Sequence, residues 1–244
     1  MGADTLGACE SETIAALCDV NQKKAARSFG LHPDVPKHED FRVMIDEMRG
    51  KLDAVVVATP DHVHAAPSAD ALRAGLHVFC EKGLTRTIQE ARTLAELTAE
   101  QKRSTQMGNQ AGYNVRVVED VWAGRLGEIQ TIQMWGGGGA GPRPAPSGTH
   151  EVPDYLNWDL WLGPAPWAPF NRGRLNFRPW RDYSGGQMTD WGAHHVDIAA
   201  WGAGVDEGGH LYAGLLDRGP GGGHRRRPRR RAVGAQRGPQ ADAR

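Results

Sequence analysis

Short apolar runs alternate with amphipathic segments along the first half of the chain. The clearest apolar run is 53–59 (DAVVVAT), whose consecutive apolar positions are typical of a parallel strand buried on both faces. The clearest amphipathic segment is 87–102, where apolar residues recur at i, i+3 and i+4. The pattern predicts strands at 13–20, 53–59, 77–81 and 104–107 and helices at 21–29 (ended by Gly30), 61–74, 87–102 and 114–123, and 41–48 is amphipathic. Strands that alternate with helices of this length predict βαβ units, and therefore an α/β fold with a parallel sheet.

The hydrophobic pattern changes near residue 124. All eight Trp lie at or beyond Trp122, and 136–169 is rich in Gly, Pro and Trp without periodicity. Residues 128–135 alternate between apolar and polar positions, which predicts a strand of a second domain. From about residue 208, Gly, Arg, Pro and Ala dominate and no core-forming pattern remains. We therefore predict a first domain at 1–124, a second at 125–207 and a disordered tail at 208–244.

Charge separates the tail from the rest of the chain. The sequence has 29 Lys+Arg and 29 Asp+Glu, but residues 205–244 hold 9 Arg and 4 acids, so a tail of +5 balances a body of −5. An acidic body argues against a nucleic-acid-binding fold, because neutralising phosphates needs a basic face. Two explanations remain for the tail: an out-of-frame translation of a GC-rich gene, or a basic arm that binds nucleic acid or acidic surfaces.

Three features of the whole sequence indicate the cellular compartment of the protein. The chain has no run of about 18 apolar residues, so we predict no membrane span. Its first residues, MGADTLGACESET, have neither a basic n-region nor an apolar h-region, so we predict no signal peptide. The three cysteines, Cys9, Cys18 and Cys80, form no CxxC, and an odd number fits a reducing compartment. We therefore predict a cytoplasmic protein.

Polar residues follow three of the predicted strands, at the edge where a doubly wound sheet binds its ligands. Asp19 ends the first strand, where a carboxylate can accept hydrogen bonds from the ribose of a dinucleotide or can cap the next helix. Residues 59–62 (TPDH) end the central strand and can border a nicotinamide ribose, although Asp61 can instead cap a helix. Lys82 follows 77–81, where it can reach a substrate or lie solvated on the surface.

The glycine-rich phosphate loop of a dinucleotide fold is not found at its usual place. This loop, G-x-G-x-x-G, is expected about 20 residues before the ribose acid, and counting back from Asp19 reaches Met1. The formal match at 136–141 (GGGGAG) is followed by Pro142 and Pro144 instead of a helix, so we regard it as coincidental. We expect the chain to lack the first strand and phosphate loop, and to end before its second domain is complete.

Two stretches resemble the signatures of one enzyme family. Residues 55–92 (VVVATPDHVHAAPSADALRAGLHVFCEKGLTRTIQEAR) resemble the cofactor-domain core of the glucose-fructose oxidoreductase/inositol dehydrogenase/MocA (Gfo/Idh/MocA) family. Residues 185–202 (GGQMTDWGAHHVDIAAWG) resemble its second signature, GG-x-x-x-D-x-G-x-H-x-x-D. The resemblance, over about 13–205, implies a Rossmann-type NAD(P) domain followed by an α+β substrate domain with a mixed open sheet, here incomplete.

The resemblance also implies an activity. Members of the family transfer a hydride between a nicotinamide cofactor and a hydroxyl carbon of a sugar, polyol or related compound. Lys82 matches the family's catalytic lysine, and Asp190 and His194 match the acid and the histidine of the second signature. In this scheme His194 takes the hydroxyl proton, Lys82 stabilises the developing alkoxide and relays the proton, and Asp190 orients His194 or holds a substrate hydroxyl.

The cofactor implied is NAD. An acid such as Asp19 repels the 2′-phosphate of NADP, although Lys23 and Lys24 nearby leave NADP open. The residues that the resemblance and the strand ends place at the cofactor are Asp19, Ala58, Thr59, Pro60, His62, His64, Glu81, Lys82 and Asn109. The expected partners are therefore a dinucleotide and a sugar-like small molecule, with no nucleic acid and no membrane; the pattern does not indicate an oligomeric state.

Other interpretations stay open. The same scaffold supports a redox-neutral glycoside hydrolase that uses NAD transiently, and the chain can also be an inactive fragment. A metal held by His194, Asp190 and Asp197 is less favoured, because neither HExxH nor a Cys/His ligand spacing is present, and we predict no metal. His195 is the alternative to His194, about 100° away on a helix. Gly83 stands where the family has proline, and a Lys–Gly bond is expected to be trans.

Overall fold

The structure, a computed structural model, describes residues 2–110, 115–129, 131–134 and 142–204. The predicted disordered tail at 208–244 and the glycine run at 136–141 lie outside the described residues.

Strands and helices alternate through the first half of the chain. The strands are β1 (Leu17–Cys18), β2 (Lys37–His38), β3 (Ala54–Val57), β4 (His77–Glu81) and β5 (Thr105–Gly108). The helices are α1 (Gly2–Ala8), α2 (Gln22–Leu31), α3 (Phe41–Glu47), α4 (Ala65–Arg73), α5 (Ile88–Gln101), α6 (Val115–Trp122), α7 (Trp158–Leu162) and α8 (Trp191–Ala203). Short 3₁₀ turns lie at Asp61–Val63, Arg172–Leu175 and Gly186–Met188.

The described strands form two parallel sheets. One pairs β1 with β2, and the other has the order β3-β4-β5. A dinucleotide-binding sheet has the strand order 3-2-1-4-5-6. The two sheets fit that order when β1 and β2 take positions 2 and 3 and the other strands take positions 4 to 6; no described strand takes position 1. The carboxyl ends of β3, β4 and β5 therefore share one edge, which is where the expected site lies.

The main core lies on one face of the larger sheet. The register places Val55 beside Val78 and Val57 beside Cys80, and these four side chains are buried. Helix α4 packs on β3 and β4 and completely buries Leu72. The other buried members of this core are Met44, Ile45, Met48, Ala69, Ala71, Leu76 and Leu94.

Strand β3 differs from its prediction. The consecutive apolar residues predicted burial on both faces, but burial alternates along the strand and Val56 is 44% exposed. The prediction was wrong because helix α4 covers the face of Val55 and Val57, and successive strand residues point to opposite faces.

Several element boundaries also differ. Strand β1 spans two residues instead of 13–20, and α2 continues through Gly30 to Leu31. The predicted strand at 128–135 is not formed in its described residues, 128–129 and 131–134, nor is the expected mixed sheet seen in the described part of 125–207. The sequence pattern missed α1 and β2, because a short exposed helix and a two-residue strand leave little hydrophobic periodicity.

A second, aromatic core lies around α7. Trp158 and Trp161 stack with ring centroids 4.7 Å apart, and Phe170 and Tyr183 pack against them edge-on. An antiparallel bridge between Asn21 and Leu156 joins this cluster to the segment after β1. The aromatic core therefore belongs to the same compact unit as the sheets.

The described residues fall into two compact units. Those within Met1–Ala111 and Gln133–Val196 form one unit, which holds both sheets, and those within Gly112–Ile132 and from Asp197 onward form the other. In the second unit Trp122 packs edge-on against Trp201, with ring centroids 6.0 Å apart. No helix in the described ranges is long and apolar enough to cross a membrane.

The start of α5 allows a test of the local structure. Thr87 accepts a hydrogen bond from the Glu90 backbone N–H, and the Glu90 carboxylate accepts one from the Thr87 N–H, which forms a capping box. We expect Thr87→Ala to lower the free energy of unfolding by about 1 kcal/mol. Urea denaturation measures this change. The control is Thr87→Ser, which keeps the hydroxyl; an equal loss in both variants would contradict the capping role.

Candidate functional site

The site begins with a buried lysine at the carboxyl end of β4. The Lys82 side chain is 3% exposed, and its Nζ donates to Oδ1 of Asp190. Arg178 Nε donates to the same oxygen at 3.1 Å. Burial opposes ionisation of Asp190, but the hydrogen bonds and charges of Lys82 and Arg178 outweigh it and keep the pKa of Asp190 below its ordinary value. The carboxylate therefore stays ionised between two cations.

Arg178 is a site residue that the sequence analysis missed. It lies 12 residues before Asp190 in the chain, outside both family signatures quoted above. Its guanidinium also lies over the Phe177 ring, 4.9 Å from the centroid. No local spacing marks such a residue, because folding alone brings it to the carboxylate.

His194 lies on α8, beside the carboxyl end of β5. Its side chain is buried, and its Nδ1 accepts a hydrogen bond of 3.0 Å from the backbone N–H of Gln110. Burial and then the positive charge of Lys82 lower the pKa of His194, which favours the neutral ring. Asp190 directly precedes α8, and its charge acts on His194. The structure thus brings Lys82, Asp190 and His194 together.

Asp61 links the end of β3 to Ser184, which directly precedes the second signature. Ser184 Oγ donates to Oδ2 of Asp61 at 2.7 Å, and burial raises the pKa of Asp61 despite this bond. Neither the 3₁₀ turn at Asp61–Val63 nor α4 has a side-chain cap. Asp61 therefore bonds across the site and does not serve as the helix cap considered above.

His62 and His64 are buried next to the site, where their rings bond to backbone carbonyl oxygens. His62 is 1% exposed, its Nε2 donates to the carbonyl oxygen of Trp161 at 3.0 Å, and its ring packs against Trp161 and Tyr183. His64 Nδ1 lies 2.7 Å from the Gly83 carbonyl oxygen and Nε2 lies 2.8 Å from that of Thr59. Both rings therefore hold the backbone around the site, and their contact with a cofactor stays a prediction.

The backbone at Lys82 differs from its prediction. The peptide bond between Lys82 and Gly83 is cis, so the expectation of a trans bond was wrong. The carbonyl oxygen that follows this bond is the one bonded to His64.

The buried ring of His62 makes stability depend on pH. Burial is the main cause that lowers the pKa of His62 from 6.5 to about 4. Since the unfolded chain then binds the proton more readily, this stabilisation is present above about pH 6.5 and is lost as the pH falls towards 4. We expect protonation at His62 to lower the free energy of unfolding of the unmodified chain by about 2 kcal/mol between pH 7.5 and 5. We expect this decrease to be absent in His62→Gln.

Urea denaturation at the two pH values measures the His62 effect. The control is His150→Gln, which makes the same substitution at an exposed histidine. An unaltered slope in His62→Gln would contradict the burial argument.

Asp19 lies in a pocket beyond the ends of β1 and β2. The pocket has a volume of about 470 Å³ and is lined by Asp19, Gln22, Phe29, Lys37, His38 and Glu39. Asn21 caps α2 by accepting from the Lys24 N–H, while Asp19 accepts from the Asn21 N–H at 2.8 Å. The helix-cap alternative therefore belongs to Asn21, and burial raises the pKa of Asp19.

The ends of the central strands leave a buried polar atom without a partner among the described residues. The side-chain oxygen of Asn109, after β5, is buried without a hydrogen-bond partner among the described residues. Such an atom costs about 1–3 kcal/mol unless a ligand or water satisfies it. Glu81 accepts from Thr5 Oγ1 at 3.1 Å, and a Cβ on Gly2 would lie 3.6 Å from that of Ala58, so α1 lies close to the ends of β3 and β4. Thr59 and Pro60 continue the chain from Ala58 at this edge.

The described residues give little support for a metal site. No group of three His, Cys, Asp or Glu side chains there is placed to hold a metal ion. The expectation of no metal stays a prediction.

Family comparisons agree with this arrangement. A model described as the oxidoreductase family with an NAD-binding Rossmann fold matches residues 3–109. A second, described as the C-terminal alpha/beta domain of the oxidoreductase family, matches residues 143–210. The chain belongs to the Gfo/Idh/MocA oxidoreductase family. The resemblance and the α/β fold predicted from the sequence are thereby confirmed.

Individual relatives of this Gfo/Idh/MocA chain are named dehydrogenases and catabolic proteins. It is 38% identical over 71 residues to levoglucosan dehydrogenase of Pseudarthrobacter phenanthrenivorans, covering 29% of this chain and 17% of the relative. It is 27% identical over 139 residues to the rhizopine catabolism protein MocA of Rhizobium meliloti, covering 55% and 43%. Inositol 2-dehydrogenase of Corynebacterium glutamicum is 33% identical over 99 residues, covering 40% and 29%. The chain thus spans less than half the length of these relatives.

Solved structures share the fold. An oxidoreductase domain protein from Kribbella flavida matches with a TM-score of 0.53 and 22% identity, over 78% of this chain and 45% of that one. Levoglucosan dehydrogenase in complex with NADH and levoglucosan matches with a TM-score of 0.52 and 20% identity, over 77% and 44%. At this identity the likeness supports the fold of the Gfo/Idh/MocA chain and nothing finer.

Proposed function

We propose that this family member is an NAD-dependent oxidoreductase that transfers a hydride between the nicotinamide and a hydroxyl carbon of a sugar or polyol. The observation that carries the proposal is the buried Lys82, paired with Asp190 beside His194 at the carboxyl ends of β4 and β5. Relatives named for levoglucosan and for inositol support a cyclic polyol as the substrate class. The comparisons do not favour the redox-neutral glycoside hydrolase.

The cofactor in this proposal lies along the carboxyl edge of the strands. Asp19 accepts from the adenosine ribose in its pocket, which favours NAD. The unpaired oxygen of Asn109 accepts from a hydroxyl near the nicotinamide, and Glu81 pairs in register with Gly108, directly before Asn109. The backbone of 58–60 lines the edge, and His64 holds it through the carbonyl oxygen of Thr59, while His62 bonds to the carbonyl oxygen of Trp161.

The chemistry divides between the cofactor and the side chains. When bound, NAD supplies the hydride acceptor. Lys82 and His194 surround the reacting oxygen, and Asp190 holds Lys82 in place. A group that takes the hydroxyl proton contributes about 10²- to 10⁴-fold to the rate.

Titration of the purified chain with NAD and NADP tests the proposal. We expect saturable binding of NAD, followed by absorbance of NADH when inositol or levoglucosan is added. Asp19→Arg is expected to weaken NAD binding and to favour NADP, because a guanidinium can pair with the 2′-phosphate. Binding of neither dinucleotide, or binding without hydride transfer to any polyol, contradicts the proposed function of this chain.

The remaining assignments are also proposals. We place the enzyme in the cytoplasm, which agrees with the free state of Cys9, Cys18 and Cys80. We divide the chain at 124 and 207, with a cofactor domain, a partial substrate domain and a tail; the two family models support this because each matches mainly one of the first two parts. The proposed partners are the dinucleotide and a sugar-like substrate, with no nucleic acid and no membrane.

A further inference from the structure

An exposed tryptophan adjoins the buried residues of the site. Trp191 begins α8, directly after Asp190, and is 54% exposed. The centroid of its ring lies 6.1 Å from that of His194, which follows it by one turn of the helix. A large aromatic side chain therefore lies at the protein surface next to the groups that the proposed reaction uses.

No ring among the described residues stacks on the indole of Trp191. The ring planes of Trp191 and His194 meet at 69°, and His195 lies 6.4 Å from the indole with its plane tilted by 38°. By comparison, Trp158 and Trp161 stack with centroids 4.7 Å apart and planes only 14° apart. The contacts with the two histidines thus leave an aromatic face of Trp191 to which a ligand has access.

Met188 extends the apolar surface at this end of α8. It is 62% exposed, and its Sδ atom lies 3.2 Å from the position that a Cβ on Gly192 would take. Two large apolar side chains thus lie in water next to the pair of Lys82 and Asp190, which reverses the usual distribution of apolar and charged groups. Apolar walls around a few polar groups are typical of a small-molecule pocket.

We propose, on the basis of the function proposed above, that Trp191 is a specificity-determining residue whose indole stacks on the C–H face of a ring-shaped polyol. Hydrogens on carbons that carry hydroxyls are partly positive, and the face of an aromatic ring is negative, so the two attract each other. Equatorial hydroxyls leave such a ring close to its plane. A hydroxyl on the rim then faces Lys82 and His194 while the ring lies on the indole, so the site selects cyclic polyols over open-chain ones.

Kinetic constants for two polyols test this contact. myo-Inositol offers a ring face, whereas sorbitol has the same number of hydroxyls on an open chain. We expect Trp191→Leu to raise KM for myo-inositol by about tenfold and to leave kcat within about threefold, because the contact is the same in the ground state and the transition state. KM for sorbitol should not change. Trp191→Phe keeps an aromatic face, and its KM should stay within about threefold of the unmodified chain.

Trp167→Leu is the matched control for these constants. Trp167 is 79% exposed on the segment after α7, and its replacement should leave both constants unchanged. An unchanged KM for myo-inositol in Trp191→Leu, or an equal rise in KM for sorbitol, would overturn the proposal. A fall in kcat at unchanged KM would also overturn it, since Trp191 would then position His194 and would not bind the substrate.

Saturation-transfer NMR detects the contact without hydride transfer. The aromatic hydrogens of the full chain are saturated in excess NADH, and transfer to the C–H hydrogens of myo-inositol is measured. We expect Trp191→Leu to lose most of the transfer and Trp191→Phe to keep it; cofactor hydrogens contribute equally to each variant. Equal transfer in all variants, or none in the unmodified chain, overturns the stacking. A chain that shows the transfer but forms no NADH contradicts only the proposed function.

Discussion

Hydride transfer is expected to slow by about 10²- to 10⁴-fold when Lys82 is replaced by methionine. Lys82 is the only lysine described in the structure that is buried at the carboxyl edge of the sheet, and its Nζ meets Asp190 there. Methionine fills a similar volume but has no group that can take or return a proton. Single-turnover formation of NADH with a saturating polyol measures the change at the chemical step.

NAD binding and a surface variant control for this result. Lys51→Met replaces an exposed lysine and should leave the rate unchanged. NAD affinity of Lys82→Met, measured by titration, should remain within a fewfold, since the proposed cofactor contacts come mostly from other residues. A rate within about threefold of the unmodified chain would mean that Lys82 takes no part in proton transfer.

Replacing Asp190 with asparagine is expected to lower the free energy of unfolding by about 3 kcal/mol. The substitution leaves Lys82 buried without its counter-ion, and breaking one side of a buried pair costs about 3–5 kcal/mol. We take the lower figure because Arg178 is 37% exposed and water can solvate it. Urea denaturation of each variant gives the change.

The double variant separates the charge effect from a loss of packing. Lys82→Met with Asp190→Asn removes both charges, so we expect it to recover at least half of the lost stability. Asp70→Asn is the matched control, because Asp70 pairs with the exposed Arg73 and such a pair contributes less than about 1 kcal/mol. Equal losses of stability in Asp190→Asn and Asp70→Asn would mean that water solvates the Lys82–Asp190 pair.

Arg178 and His194 show which features of the site the sequence alone predicts and which it does not. The two signatures named Lys82, Asp190 and His194, because family motifs keep their spacing along the chain. Arg178 shares the Asp190 carboxylate, but nothing in its local sequence marks it. Nδ1 of His194 accepts from the backbone N–H of Gln110, 84 residues away, and backbone donors have no sequence signature.

The sequence by itself determined the alternation of strands and helices from β3 to β5, the α/β class and the three residues of the signatures. It could do so because hydrophobic periodicity and family motifs are local properties of the chain. Only the tertiary structure decided that β3 is covered on one face, that His62 packs beneath the site, and that Lys82 and Arg178 meet at one carboxylate. Burial, hydrogen-bond partners and electric fields are set by residues far apart in sequence, and those contacts exist only once the chain has folded.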